Sequence, residues 1–161
     1  MAVVTQELEY LCGTDGLQNL FNQRAFYEVV RRDLSLSERY QDPLSLLSLD
    51  LNGVNALNDN KGHKAGDDIL SAVGKATQEV VRDTDIGCRY GGDEFCIILP
   101  RSAANEAERI AKRLIKFFKK LAGKTNISFA IVIADTGPAD FVDADSLVST
   151  ADKLVHQSKE Q

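Results

Sequence analysis

The chain is poor in the residues that build metal–sulfur sites and disulfide frameworks. It has three cysteines, Cys12, Cys88 and Cys96, and two histidines, His63 and His156. No Cys-x-x-Cys pair occurs, so no zinc site is expected. It also lacks an excess of positive charge. Nineteen Lys and Arg against 24 Asp and Glu give a net charge of −5, which argues against broad capture of nucleic acid or an anionic membrane. No apolar run is long enough to span a bilayer, and no secretory leader pattern is visible. A cytoplasmic chain is expected, from a parent protein free to carry a membrane segment elsewhere. Repeats and low-complexity tracts are missing too. What is present is a hydrophobic share of 43% and a charged share of 27% over 161 residues, the profile of one soluble domain with a real core.

Residues 1–14 carry no strong pattern and read as the remnant of a linker, with a single domain over 15–161. Asn19 or Asn22 is placed to cap a helix running to about Ser37. After the Gln41-Asp42-Pro43 break, Leu44 to Leu51 is short and mostly apolar, as a central strand is. A short helix from Val54 to Asn60, a Lys61-Gly62-His63 loop and a helix from Asp67 to Val81 follow. Asp85–Tyr90 and Phe95–Leu99 read as the strands of a hairpin closed by Pro100. Ser102 is placed to cap the next helix, whose buried side carries Ala107, Ile110, Ala111, Leu114, Phe117, Phe118 and Leu121. A strand over Ile127–Ala134, a loop over Asp135–Phe141 and a helix over Asp145–His156 complete the chain. A hairpin inside a β-α-β frame predicts an α+β fold with a mixed, largely antiparallel sheet surrounded by helices.

The most informative stretch is Arg89-Tyr90-Gly91-Gly92-Asp93-Glu94-Phe95. Gly-Gly supplies the positive φ angles of a tight turn, and the hairpin then fixes Asp93 and Glu94 at its tip. Open backbone beside fixed acids is what a metal-bound triphosphate needs. On an even-membered turn Cys88 and Cys96 do not face each other, so free buried thiols are expected. Asp50 ends the first core strand, where a carboxylate is costly to bury without compensation. Adjacent central strands bring it to Asp93, and converging carboxylates call for a cation such as Mg²⁺. Asn58 and Asp67 offer the amide and carboxylate that can read a guanine edge, although Asp67 also suits a helix start. His63 reads as a structural loop residue, and its loop lacks the P-loop spacing. Arg82 and Asp85 flank the hairpin; an Arg with an Asp acceptor can clamp a guanine and its phosphate, or simply finish a helix.

Taken together the motifs resemble the GGDEF family of diguanylate cyclases. The family's opening pattern is matched by Asp15, Leu17, Leu20, Asn22, Arg24 and Phe26, while Gln18, Asn19 and Gln23 depart from it. Leu49-Asp50-Leu51, Asn58-Asp59, Gly62-His63-x-x-Gly66-Asp67, the intact Gly91–Phe95 signature, and Ala151-Asp152 with Lys159 follow in order. The resemblance implies a ferredoxin-like fold related to the palm of nucleotide cyclases and polymerases. It implies condensation of two GTP into cyclic di-GMP across a homodimer, with release of two pyrophosphates. By match, Asp50, the Leu51 carbonyl, Asp93 and Glu94 become ligands of Mg²⁺ or Mn²⁺, with Asp93 the base near the 3′-hydroxyl and Glu94 beside it in the catalytic site. Asn58 and Asp67 become guanine contacts, and Lys159 a substrate contact. Arg82 and Asp85 become the RxxD of an inhibitory product site.

Asn55 stands where the family commonly has a lysine that holds phosphate charge; an amide bonds phosphate without neutralising it. The family's usual Gly-Arg-Asn ending is not among the 161 residues, and His156 replaces a usual Tyr. Two functions are therefore weighed. One is a Mg²⁺-dependent diguanylate cyclase domain, weak in isolation, joined in its parent to an upstream sensory or receiver domain. The other is a degenerate GGDEF module that binds GTP or cyclic di-GMP without turnover. Nucleic acid is not an expected partner.

Overall fold

Leucines at 44, 46, 47, 49 and 51 are all at most 2% exposed, so one strand packs on both of its faces and the molecule is built outward from it. A computed structural model of the chain describes Thr14, Asp15 and residues 20–160, with backbone only for Thr14, Asp15, Lys159 and Glu160. Apart from Thr14, the expected linker remnant lies outside the described residues. In chain order the elements are β1 (Thr14–Asp15), β2 (Leu20–Phe21), α1 (Gln23–Tyr40), β3 (Leu44–Asn52), α2 (Val54–Lys61), α3 (His63–Val80), β4 (Ile86–Arg89), β5 (Glu94–Pro100), α4 (Ala104–Ala122), β6 (Ser128–Thr136) and α5 (Ala144–Glu160). The sheet order is β1-β2-β4-β5-β3-β6. Pairing is antiparallel throughout except between β2 and β4. The β3-α3-β4-β5-α4-β6 core, with β3 between β5 and β6, is the ferredoxin-like arrangement.

Alternation along β3 sorts the core into two layers. Leu47, Leu49 and Leu51 join Phe95, Ile97 and Leu99 under α3 and α4. Leu44 and Leu46 join Cys88, Cys96 and Ile98 under α1 and α5. Truncating any of these leucines to alanine removes about 2–5 kcal/mol of stability. Asp50 follows the parity of Leu44 and Leu46, so its carboxylate belongs to the α1/α5 side.

Asn22, rather than Asn19, caps α1: its side-chain oxygen accepts from the Ala25 amide at 3.0 Å. The helix runs on to Tyr40, because Gln41 takes a left-handed φ of 58° and its amide and that of Asp42 both close on the Ser37 carbonyl. Helix α3 begins at His63, four residues earlier than predicted. Gly62, at φ 85°, ends α2 and starts α3 in one residue, so the expected loop collapses to a single joint. Asp67 therefore sits inside the helix rather than at its start. Ser102 does not cap α4. The cap position is Ala103, with no side-chain bond, because the Ser102 hydroxyl is turned to Arg82 and Pro100. Leu121 is 48% exposed, because in that turn Ala122, not Leu121, is the residue packed against the core. β6 continues to Thr136, absorbing two residues read as loop.

The hairpin differs from the expectation in two ways. The last ladder pair, Arg89 with Phe95, leaves residues 90–94 for the connection, an odd number, and Cys88 directly faces Cys96. Both thiols are nevertheless free and buried. Neither Gly91 nor Gly92 takes a left-handed φ. A Cβ on Gly91 would crowd the Glu94 carboxylate at 3.3 Å, whereas one on Gly92 would meet nothing within 4 Å, so the backbone at Gly92 lies open.

Burial raises the Cys88 thiol well above its ordinary pKa, and burial pushes Cys96 to about 12. For a thiol at that value only about one part in ten thousand is thiolate at pH 8. We predict that iodoacetamide at pH 8 leaves both residues unmodified in the native protein and labels both once urea unfolds it. Native-state labelling at the unfolded rate, read by peptide mass spectrometry, would contradict the packing described.

Candidate functional site

The β3–β5 ladder ends with Asp50 opposite Glu94, which places both carboxylates on the α1/α5 face. Asp50 is 2% exposed, whereas Glu94 is open to solvent. One residue further, the Leu51 amide donates to the Asp93 carbonyl at 3.0 Å, so the turn is stitched to β3 beyond the ladder. In an extended strand a residue's N–H and C=O point to the same edge, and the Leu51 carbonyl accordingly faces the hairpin. Asp93 lies in the turn, half-buried and outside the regular pairing. Among the described residues no three His, Cys, Asp or Glu side chains form a group able to hold a metal ion. The expected convergence of Asp50, Asp93 and Glu94 is thus an Asp50–Glu94 pair with Asp93 adjoining. The reason is register: Asp93 is one residue out of step with the face that Asp50 and Glu94 share. The donors are all hard oxygen, carboxylates and a backbone carbonyl, and that chemistry suits Mg²⁺ or Mn²⁺.

Two supports of the hairpin were not legible as such in the sequence. Arg89 reaches forward into its own turn, donating through Nε to the Gly91 and Gly92 carbonyls at 3.2 Å and through NH2 to Gly92 at 2.7 Å. The Tyr90 hydroxyl lies 2.7 Å from that of Tyr27 on α1, and both rings stack edge-on with Phe26. Burial, reinforced by the Tyr27 bond, holds the Tyr90 hydroxyl well above its ordinary pKa. The partners stand 63 residues apart in the chain, which no local reading of the sequence brings together.

Below the acid pair lies a cavity of about 320 Å³ between the sheet and α5. Asp50, Glu94, Asp152 and His156 reach it, with an apolar floor that includes Phe26 and Leu46. Desolvation raises the pKa of Asp152. Lys159 continues the same helix, but its side chain lies outside the described residues.

The α2–α3 joint builds a second element. Asn58 is half-buried and its side-chain carbonyl packs directly on the Cα of Gly66, where any Cβ would collide with it. That oxygen is buried and accepts no hydrogen bond among the described residues. Asp67, the next residue after Gly66, is exposed, as is Asn55 in the first turn of α2. The exposed His63 opens α3.

Arg82 and Asp85 are locked together. The Asp85 side chain is fully buried and receives Arg82 Nε at 3.0 Å, Arg82 NH2 at 2.8 Å and the Arg82 backbone amide at 2.8 Å. NH2 also donates to the Pro100 carbonyl and the Ser102 hydroxyl. These bonds to Asp85 raise the Arg82 pKa further. The structure therefore does not display the Asp85 carboxylate to a ligand; only the outer part of the half-exposed Arg82 is presented.

A family model described as "Diguanylate cyclase, GGDEF domain" matches residues 12–161. The chain belongs to the GGDEF domain family. This GGDEF domain is 34% identical over 151 residues to diguanylate cyclase DosC of Escherichia coli K12, a match covering 91% of the chain and 33% of DosC. It is 32% identical over 155 residues to the cyclic di-GMP phosphodiesterase NbdA of Pseudomonas aeruginosa, covering 94% of the chain and 20% of NbdA. The chain thus spans a third or less of these relatives. Among solved structures, the GGDEF domain of DgcB from Caulobacter crescentus, in complex with c-di-GMP, superposes with a TM-score of 0.77 at 27% identity, covering 91% of this chain and 90% of that one. The α+β, palm-like cyclase fold is that of the family.

Substitution at Gly66 tests the Asn58 cradle. In an ordinary helix Gly→Ala is stabilising by about 1 kcal/mol. Here we predict that Gly66→Ala destabilises by about 1–3 kcal/mol in urea unfolding, because the methyl displaces Asn58 from a packed joint. A stabilised variant would show that Asn58 is not held there.

Proposed function

We propose that this GGDEF domain condenses two GTP molecules into cyclic di-GMP, releasing two pyrophosphates. The observation that carries the reading is the buried Asp50 carboxylate facing Glu94 beside the open backbone at Gly92. Asp50, Glu94, Asp93 and the Leu51 carbonyl would hold the divalent metal, Mg²⁺ or Mn²⁺. When bound, the metal neutralises triphosphate charge and favours departure of pyrophosphate. Asp93, in the turn beside the acid pair, accepts the proton of the attacking 3′-hydroxyl. Asp67 accepts from the guanine N1–H and N2–H donors, with Asn58 beside it; the Asn58 carbonyl, which accepts no hydrogen bond among the described residues, supports a ligand there. Asn55 bonds phosphate without adding charge, and Lys159 supplies charge from α5. One domain offers one such site and the product needs two nucleotides, so two domains face each other. GTP being a cytoplasmic nucleotide, the domain works in the cytoplasm, inside a longer protein whose sensory region sets the pairing.

A second reading, a receptor that binds GTP or cyclic di-GMP without turnover, is favoured by Asn55 in place of lysine. The two separate on one assay. Fused to a parallel dimeric coiled coil, the domain is predicted to convert GTP with Mg²⁺ to cyclic di-GMP, detected by chromatography with mass spectrometry. Unfused, its specific rate rises with concentration. Asp50→Asn lowers turnover at least about 100-fold. Nucleotide binding with no product from the fused dimer would favour the receptor.

Product binding is the other expectation. Cyclic di-GMP binds through Arg82 at low micromolar strength, on the order of −8 kcal/mol. Because Asp85 is held by Arg82, the ligand meets the guanidinium first. Calorimetry is predicted to show Arg82→Ala weakening binding at least about tenfold. Undiminished binding in that variant would place the product elsewhere.

A further inference from the structure

On the opposite side of α2 from Asn58 lies a second cleft, of about 890 Å³, between α2 and the connection from α4 to β6. Its volume falls within the range of small-molecule sites. The floor is apolar and firm: Phe118 and Phe129 meet edge-on with centroids 4.7 Å apart, and Leu57 flanks them. One end is closed where Gly53 presses on the neighbouring loop, a Cβ there lying 3.4 Å from the Asn126 carbonyl. The rim carries Lys61, Lys119 and Lys124, and none of the described lining residues is Asp or Glu. In a chain with net charge −5 that is a local reversal of sign. The cavity beneath the acid pair is its converse, lined by three carboxylates and no lysine or arginine.

We propose that this cleft is a binding site for a small amphiphilic anion, a molecule with an aromatic or alkyl body and one or two acidic groups. The apolar body lies on Leu57, Ile127 and Phe129, with Phe118 buried behind them, and the acid meets the lysines at the rim. Neither Asn58 nor Asp67 lines it, so the site is separate from the nucleotide site proposed above and its occupancy is measurable without turnover.

The probe is 1-anilinonaphthalene-8-sulfonate, titrated into the full chain by fluorescence, with amide NMR shifts to locate it. Expected are saturable one-to-one binding and shifts concentrated in residues 53–61 and 115–129. The triple variant Lys61→Gln, Lys119→Gln, Lys124→Gln, altered only at exposed positions, is expected to bind about tenfold more weakly, since three partly screened ion pairs are lost. The neutral analogue N-phenyl-1-naphthylamine is expected to bind at least about tenfold more weakly than the sulfonate. Any one of four outcomes would overturn the proposal: no saturable binding, unchanged affinity in the triple variant, equal binding of the neutral analogue, or shifts centred on Asp50 and Glu94.

Discussion

The register between β3 and β5 is the constraint on which the rest depends. Because Asp50 faces Glu94 and the Leu51 amide reaches the Asp93 carbonyl, one set of backbone bonds decides both core and site. A slip of one residue would turn every leucine of β3 to the opposite layer. It would also send the Asp50 carboxylate under α3 and α4, among Leu70, Val73 and Leu114. The five buried leucines of β3 enforce the pairing, so the stability of the core and the position of the acids are a single property. Arg89 and the Tyr27–Tyr90 pair then hold the loop that this register delivers.

Much of this was legible along the chain. The order of elements from α1 to α5 follows from hydrophobic periodicity and from punctuation at Pro43, Gly53 and Pro100, and the family motifs stand at readable spacings. Features set by distant contacts were not legible. Whether Cys88 faces Cys96 depends on a turn whose parity is fixed by how Tyr90 and Gly91 both close on the Glu94 carbonyl. Ser102 has the chemistry of a cap, yet Arg82, 20 residues earlier, claims its hydroxyl. β2 has two residues and is defined by its pairing with β1 on one side and, at Phe21, with Cys88 on the other. His63 looked like a loop residue because the single glycine joint at Gly62 replaces the connection expected between two helices.

The charge pattern of the surface has the same tertiary origin. The chain as a whole is acidic, and no window of its sequence isolates the Lys61, Lys119 and Lys124 group, since α2 and the end of α4 meet only in the fold. The Arg82–Asp85 pair makes the complementary point. Its spacing is plain in sequence, but its closure, with a fully buried carboxylate, is a fact of packing against Pro100 and Ser102.

The contact of Asn58 with Gly66 has a consequence for how such a sequence can drift. Position 66 tolerates no side chain while Asn58 lies over it, but nothing holds 58 at asparagine on account of 66. A shorter residue at 58 opens the space, after which 66 is released; the reverse order passes through a clash. The two positions therefore form a ratchet in mutational history, in which Asn58 must be given up before the glycine beneath it can change. A chain that has lost the glycine has, on this geometry, already lost the asparagine's place beside Asp67.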